Sequence, residues 1–265
     1  MLRKTALITG ASSGIGEAFA EVFAAEGFDL VITARRQDRL EAVAERLQRQ
    51  HGGRVHVMAS DLSRPDAAER LCAELTARGI HIDALVNNAG YGVPGAYTAS
   101  PWKRHEDFLQ VMVTAVAELT YRLLPPMVER GYGRIINVAS LAGLTPPPAG
   151  HTLYAASKAF VIKFSEALSH EVRRAGVHVT AVCPGFTLSE FHDVTGTRGQ
   201  MKRLPRWLWM DADTVARQGF DAVSVGTAVY INGRINRGIA ALVRVLPQSL
   251  VRTIGRSLGK TYRKV

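Results

Sequence analysis

The chain has 265 residues, with 33 basic and 23 acidic side chains, a formal net charge of +10 and an apolar fraction of 47%. That apolar fraction excludes a disordered chain, and two cysteines are too few for a disulfide framework, which suits a reducing compartment and a cytoplasmic location. The basicity is not that of a nucleic-acid binder: eight basic side chains and no acid follow Asp221, so residues 1–221 hold 25 basic against 23 acidic groups.

Short apolar strands alternate with helices along the chain. Ala6-Leu7-Ile8 reads as a buried strand that runs into glycines, a strand rather than a signal peptide. Gly14–Ala25 carries apolar residues at helical spacing, and Leu30-Val31-Ile32 is the second strand. Asp38–Gln50 is a charged helix, Val55–Met58 a third strand, and Ala67–Arg78 a helix ended by Gly79. Ala84-Leu85-Val86 is the fourth strand, followed by a long helix from Lys103 to Glu129. Arg134–Val138 is the fifth strand, Tyr154–Arg174 a helix, Val177–Val182 the sixth strand, and Val229–Gly233 the expected seventh. No apolar run reaches the roughly 18–20 residues that span a bilayer. Such alternation predicts crossover units: one doubly wound α/β domain, a parallel sheet of about seven strands with helices on both faces.

Between the first strand and first helix lies Thr9-Gly10-Ala11-Ser12-Ser13-Gly14-Ile15-Gly16. Glycine permits a sharp turn and a close approach to a pyrophosphate, and the helix start offers unpaired N–H groups and a positive dipole end. The spacing is G-x-x-x-G-x-G, not the commoner G-x-G-x-x-G of Rossmann-type dinucleotide sites.

With four further motifs the chain resembles the compact, single-domain branch of the short-chain dehydrogenase/reductase superfamily. These are Asn87-Asn88-Ala89-Gly90 after the fourth strand, Ser140 after the fifth, Tyr154-Ala155-Ala156-Ser157-Lys158, and Pro184-Gly185 after the sixth. The match runs from residue 5 to about 191. It implies a Rossmann-type fold, with Gly10, Ser12, Ser13, Gly14, Ile15 and Gly16 cradling the cofactor. It also implies Asp61 and Leu62 at the adenine, Asn88, Ala89 and Gly90 lining the crevice, and Pro184, Gly185, Thr187 and Ser189 near the nicotinamide.

The chemistry of the candidate catalytic residues can be argued directly. Tyr154 and Lys158 lie four apart, on one helix face. A free phenol has a pKa near ~10, and a nearby ammonium favours the phenolate, bringing it toward neutral pH. Tyr154 is the expected general acid and base on a carbonyl or alcohol, and Ser140 the expected donor to the substrate oxygen. The resemblance implies that Lys158 also binds the nicotinamide ribose. Hydride comes from the cofactor, so no metal is required. Where an acid would accept from the ribose of NAD, the second strand ends Thr33-Ala34-Arg35-Arg36. Two guanidinium groups suit a 2′-phosphate, so the expected cofactor is NADP(H).

Two departures from the family stand out. The helix asparagine expected thirteen residues before Pro125 is Met112, which has no amide. Either the proton relay is altered, or the domain is a cofactor-binding sensor or scaffold with weak turnover. Beyond residue 195 the resemblance fades. The stretch from 186 to 211 is the expected substrate lid; its Met201, Leu204, Trp207, Leu208, Trp209 and Met210 suit a lipophilic substrate or simply fill core or a subunit contact. His192 and His151 fit a substrate contact or a surface position. The domain is expected over 1–233, with 234–265 a basic amphipathic extension of it. There Ile235, Ile239, Leu242, Val243, Leu246, Leu250, Val251, Ile254 and Leu258 recur at steps of three and four, interrupted at Pro247. That stripe suits an anionic membrane surface, the domain itself, or a second subunit in a homo-oligomer.

Overall fold

The computed structural model describes residues 3–93, 95–147, 149–150, 152–188 and 205–246. Its main sheet is built from β1 (Thr5–Thr9), β2 (Asp29–Thr33), β3 (Val55–Val57), β4 (Ala84–Asn87), β5 (Gly133–Val138), β6 (Val177–Cys183) and β9 (Val229–Ile231). These seven strands are parallel and stand in the order β3-β2-β1-β4-β5-β6-β9. Helices α1 (Gly14–Ala25), α2 (Gln37–His51), α3 (Ala67–Ala77), α4 (Trp102–Leu109), α5 (Ala115–Glu129) and α6 (Thr152–Val172) connect them. Two short strands, β7 (Phe186–Leu188) and β8 (Trp209–Asp211), pair apart from the sheet, and α7 (Ala212–Ser224) and α8 (Arg234–Val245) complete the domain.

The strands are mostly apolar in their middles because both sheet faces are covered. Successive side chains point to opposite faces, so each strand feeds two cores. Ala6, Ile8, Leu30, Ile32, Ala84 and Val86 pack with Phe19 and Phe23 of α1, Leu40 and Leu47 of α2, and Val215 and Val223 of α7. Leu7, Val31, Leu85 and Ile135 face the other way, onto Leu71 of α3, Leu119 and Met127 of α5, and Leu168 of α6.

The long fourth helix differs from expectation. It begins at Trp102 and is broken by a π-helical turn over Gln110–Thr114, where Ala115 N–H donates to Gln110 O five residues back. By length and composition the stretch Trp102–Glu129 could cross a bilayer, but Val111, Ala115, Leu119, Leu123 and Met127 belong to the second core. The helix carrying Tyr154 ends at Val172, and Arg173–Ala175 form a 3-10 turn.

The strand order reverses beside β1, with β2 and β3 on one side and β4 onward on the other. In open parallel sheets the carboxyl ends at such a reversal form a crevice that takes ligands. Every motif singled out in the sequence sits there.

Candidate active site

The crevice is a cavity of about 770 Å³. Its floor at one end is the turn from β1 to α1. Gly10 has φ +67°, the left-handed region that favours glycine. A Cβ on Gly16 would lie 2.2 Å from Gly10 O, so only a glycine lets α1 start this close beneath the turn. Ser13 begins α1 without capping it through its side chain, leaving the first-turn amides to an anion. The hydroxyls of Ser12 and Ser13 instead accept from Arg36 Nη2, at 3.1 and 3.3 Å. Arg35 and Arg36 are exposed at the same mouth.

The Asn88 side chain holds the turn's shape, donating to Thr9 O (3.0 Å) and Gly10 O (3.3 Å). Thr9 Oγ1 accepts from the backbone of Asn88 (2.9 Å) and Ala89 (3.0 Å), locking β1 to β4. Asp61 accepts from the N–H (3.1 Å) and hydroxyl (2.9 Å) of Ser63, shaping the loop after β3. Thr33 Oγ1, on the cavity wall, is buried with no protein partner among the described residues. An uncapped helix end, an orphan hydroxyl and paired arginines are the donor set that an anionic dinucleotide requires.

At the centre stand Ser140, Tyr154 and Lys158. Lys158 is 7% exposed, its Nζ lies 5.8 Å from the centroid of the Tyr154 ring, and it donates to Val138 O at 2.7 Å. Burial lowers its pKa from the ordinary lysine value to about 8. The neighbouring Cys183 thiol is pushed up to about 12, again by burial, so it stays protonated. Ser140 Oγ accepts from Ala142 N–H (3.1 Å), which leaves its own proton to donate outward. The Ser140 segment is fixed to the β6 loop, since Leu141 N–H donates to Pro184 O (2.9 Å). Helix α6 is tied to the sheet by a buried chain of amides: Asn87 donates to Asn137 Oδ1 (2.8 Å), and Asn137 to Ser165 Oγ (2.9 Å).

A sequence profile described as short chain dehydrogenase matches residues 4–198. The chain belongs to the short-chain dehydrogenase family. It is 40% identical to nodulation protein G of Rhizobium sp. strain N33 over 246 residues, 90% of this chain and 98% of that protein. It is 30% identical to the very-long-chain 3-oxoacyl-CoA reductase of Bos taurus over 267 residues, 99% of this chain and 81% of that one. Among solved structures it is similar to a short-chain dehydrogenase from Sphingobium yanoikuyae in complex with NADPH. There the TM-score is 0.80 at 31% identity, covering 93% of this chain and 97% of the other. The chain is thus an oxidoreductase of the class acting on CH–OH groups.

In this short-chain dehydrogenase the predicted site residues within the described part all line the one cavity, except Gly16. Gly16 is buried below the turn, so its part is to let the turn and helix meet. Ser189 lies outside the described residues, as do His151, His192, Met201, Leu204 and the apolar stripe beyond Leu246. Of the expected lid, β7 and β8 are described: Phe186 and Trp209 bring their rings to 5.7 Å, while Trp207 is exposed and Met210 packs on the first core. Met112 is buried in the π-helical turn and lines the cavity, its sulfur against Gly90. Sequence reasoning missed Thr33, whose only signal was its place before the arginines. It also missed the cavity-facing role of α8.

Proposed function

We propose that the chain transfers a hydride between NADP(H) and a carbonyl or secondary alcohol of lipophilic character, with Tyr154 as general acid and base. The observation that carries this reading is a nearly buried lysine beneath the Tyr154 ring, in the same cavity as the uncapped amino end of α1. Gly10, Ser12, Ser13, Gly14 and Ile15 would hold the pyrophosphate, with Arg35 and Arg36 on the 2′-phosphate. Asp61 and Leu62 would meet the adenine. Asn88, Ala89, Gly90, Pro184, Gly185 and Thr187 would wall the nicotinamide half. When bound, NADPH supplies the hydride.

The protein's own residues do the rest. Ser140 donates to the carbonyl oxygen and stabilises the charge that grows there. Tyr154 delivers its proton to the same oxygen, giving the alcohol. Lys158 stabilises the negative charge left on the phenol oxygen, and its remaining N–H groups serve the ribose hydroxyls. The same groups run alcohol oxidation in reverse.

Tyr154→Phe tests the reading by removing the transferable proton. Single-turnover oxidation of bound NADPH, followed across a panel of ketones and aldehydes, should slow by about 10²–10⁴-fold, with the NADPH Kd little changed. Survival within a few-fold of wild type would refute the role of Tyr154. A sensor or scaffold would bind NADPH and oxidise it with no carbonyl in the panel.

A further inference from the structure

Of the five described residues of the C-terminal stripe, all but the exposed Ile235 line the domain's own cavity, and Leu242 is also open to solvent. Ile239, Leu242, Val243 and Leu246, at i, i+3, i+4 and i+7, all line it. Arg234, Arg237 and Arg244 are exposed to water. Apart from Asn236, the α8 side chains that line the cavity thus carry no charge and no hydrogen-bonding group.

Helix α8 is also anchored where it matters. Asn236, in its first turn, is buried and donates to Asn232 O at 2.7 Å. It packs so closely on Gly185 that a Cβ there would lie 2.6 Å from its amide. Gly185 follows Pro184, whose carbonyl holds the Ser140 segment. The distance from Ser140 to the apolar face of α8 is thus set by two short links through one loop, so a substrate bound at Ser140 meets α8 at a defined point along its length.

We propose that α8 selects the substrate's tail: Ile239, Val243 and Leu246 form a wall along which an extended apolar chain lies, its carbonyl held at Ser140 and Tyr154. This rests on the hydride-transfer reading for the position of the carbonyl, and on α8 alone for the tail. From Ile239 to Leu246, the residue that follows α8 at its end, the chain advances about 10 Å. A staggered carbon chain with bonds of about 1.5 Å covers that in roughly eight carbons. The substrate class is an aliphatic ketone, or the matching alcohol, with a chain of about that length.

The test uses the full chain loaded with NADPH. Turnover is compared for 2-butanone and 2-decanone, and binding by calorimetry for butanamide and decanamide, whose carbonyls accept no hydride from NADPH. Wild type should favour the ten-carbon ketone in kcat/KM, and the ten-carbon amide in Kd, by about tenfold or more. Val243→Trp, which fills the wall without adding charge, should cut both ratios by about tenfold, and Ile239→Asn should do likewise. Ala241→Asn, on the exposed side of α8, should leave both ratios within about twofold. Equal binding of the two amides by wild type, or ratios untouched by both wall variants, would overturn the proposal. Should neither ketone turn over while decanamide still binds tighter and Val243→Trp removes the preference, the hydride reading fails and the wall stands.

Discussion

The α1 end of the cavity is made of backbone and short polar side chains. Gly10 and Gly16 bring two main-chain segments together, Asn88 and Thr9 bond to the peptide groups that shape the turn, and α1 begins with its amides uncapped by its serine. The α8 end is made of apolar side chains from one helix, fixed to the rest through Asn236 and Gly185. The first surface suits a ligand of constant shape and charge, because peptide N–H groups cannot be changed by substitution. The second can be resized one side chain at a time. A single fold thus keeps one partner constant and lets the other vary.

Between the two ends Ser140 is expected to serve both, so its loss should cost more than a change confined to either end. Ser140→Ala should lower kcat about 10²–10³-fold for long and short ketones alike, measured at saturating NADPH. A loss confined to long ketones would tie Ser140 to the α8 end and break the division.

The pH profile tests Lys158 next. Burial puts its pKa at about 8, so the ammonium is present below that and lost above it. Carbonyl reduction needs both that charge and the Tyr154 proton, so kcat/KM should fall about tenfold per pH unit above about 8. Over the same alkaline range the unfolded chain binds more protons at this site than the folded one. Denaturant titrations should therefore show stability rising from about pH 8 toward the ordinary lysine value of 10.5.

The smallest effect belongs to the mouth. Arg36 is exposed, and its bonds to Ser12 and Ser13 are made in water. Arg36→Glu should lower the NADPH-to-NADH ratio of kcat/KM by about tenfold. It should not alter the ratio between long and short ketones. A change in that second ratio would mean that the two ends communicate.

The α1 end could be read from residue order because its parts are local. A strand, three glycines and a helix lie within a dozen positions, and each contact there is between near neighbours or between the ends of adjacent strands. The seven strands were legible for the same reason: an apolar run covered on both faces looks the same wherever it stands. The π-helical turn at Met112 was not legible. Met112 within it lies buried with its sulfur against Gly90, a residue far off in the chain, and no residue type marks the turn. The stripe at 235–246 was visible as a stripe, but its destination was not. Periodicity says that one face is apolar and is silent on what that face meets.

For this protein, residue order alone determined the doubly wound sheet, the glycine turn and the spacing of Tyr154 and Lys158, because each depends on contacts within a strand, a turn or a helix. Tertiary structure decided which surface α8 faces, how deeply Lys158 is buried and which buried hydroxyl has no partner among the described residues. Those depend on segments far apart in the chain arriving at one place, where desolvation and close packing set the outcome.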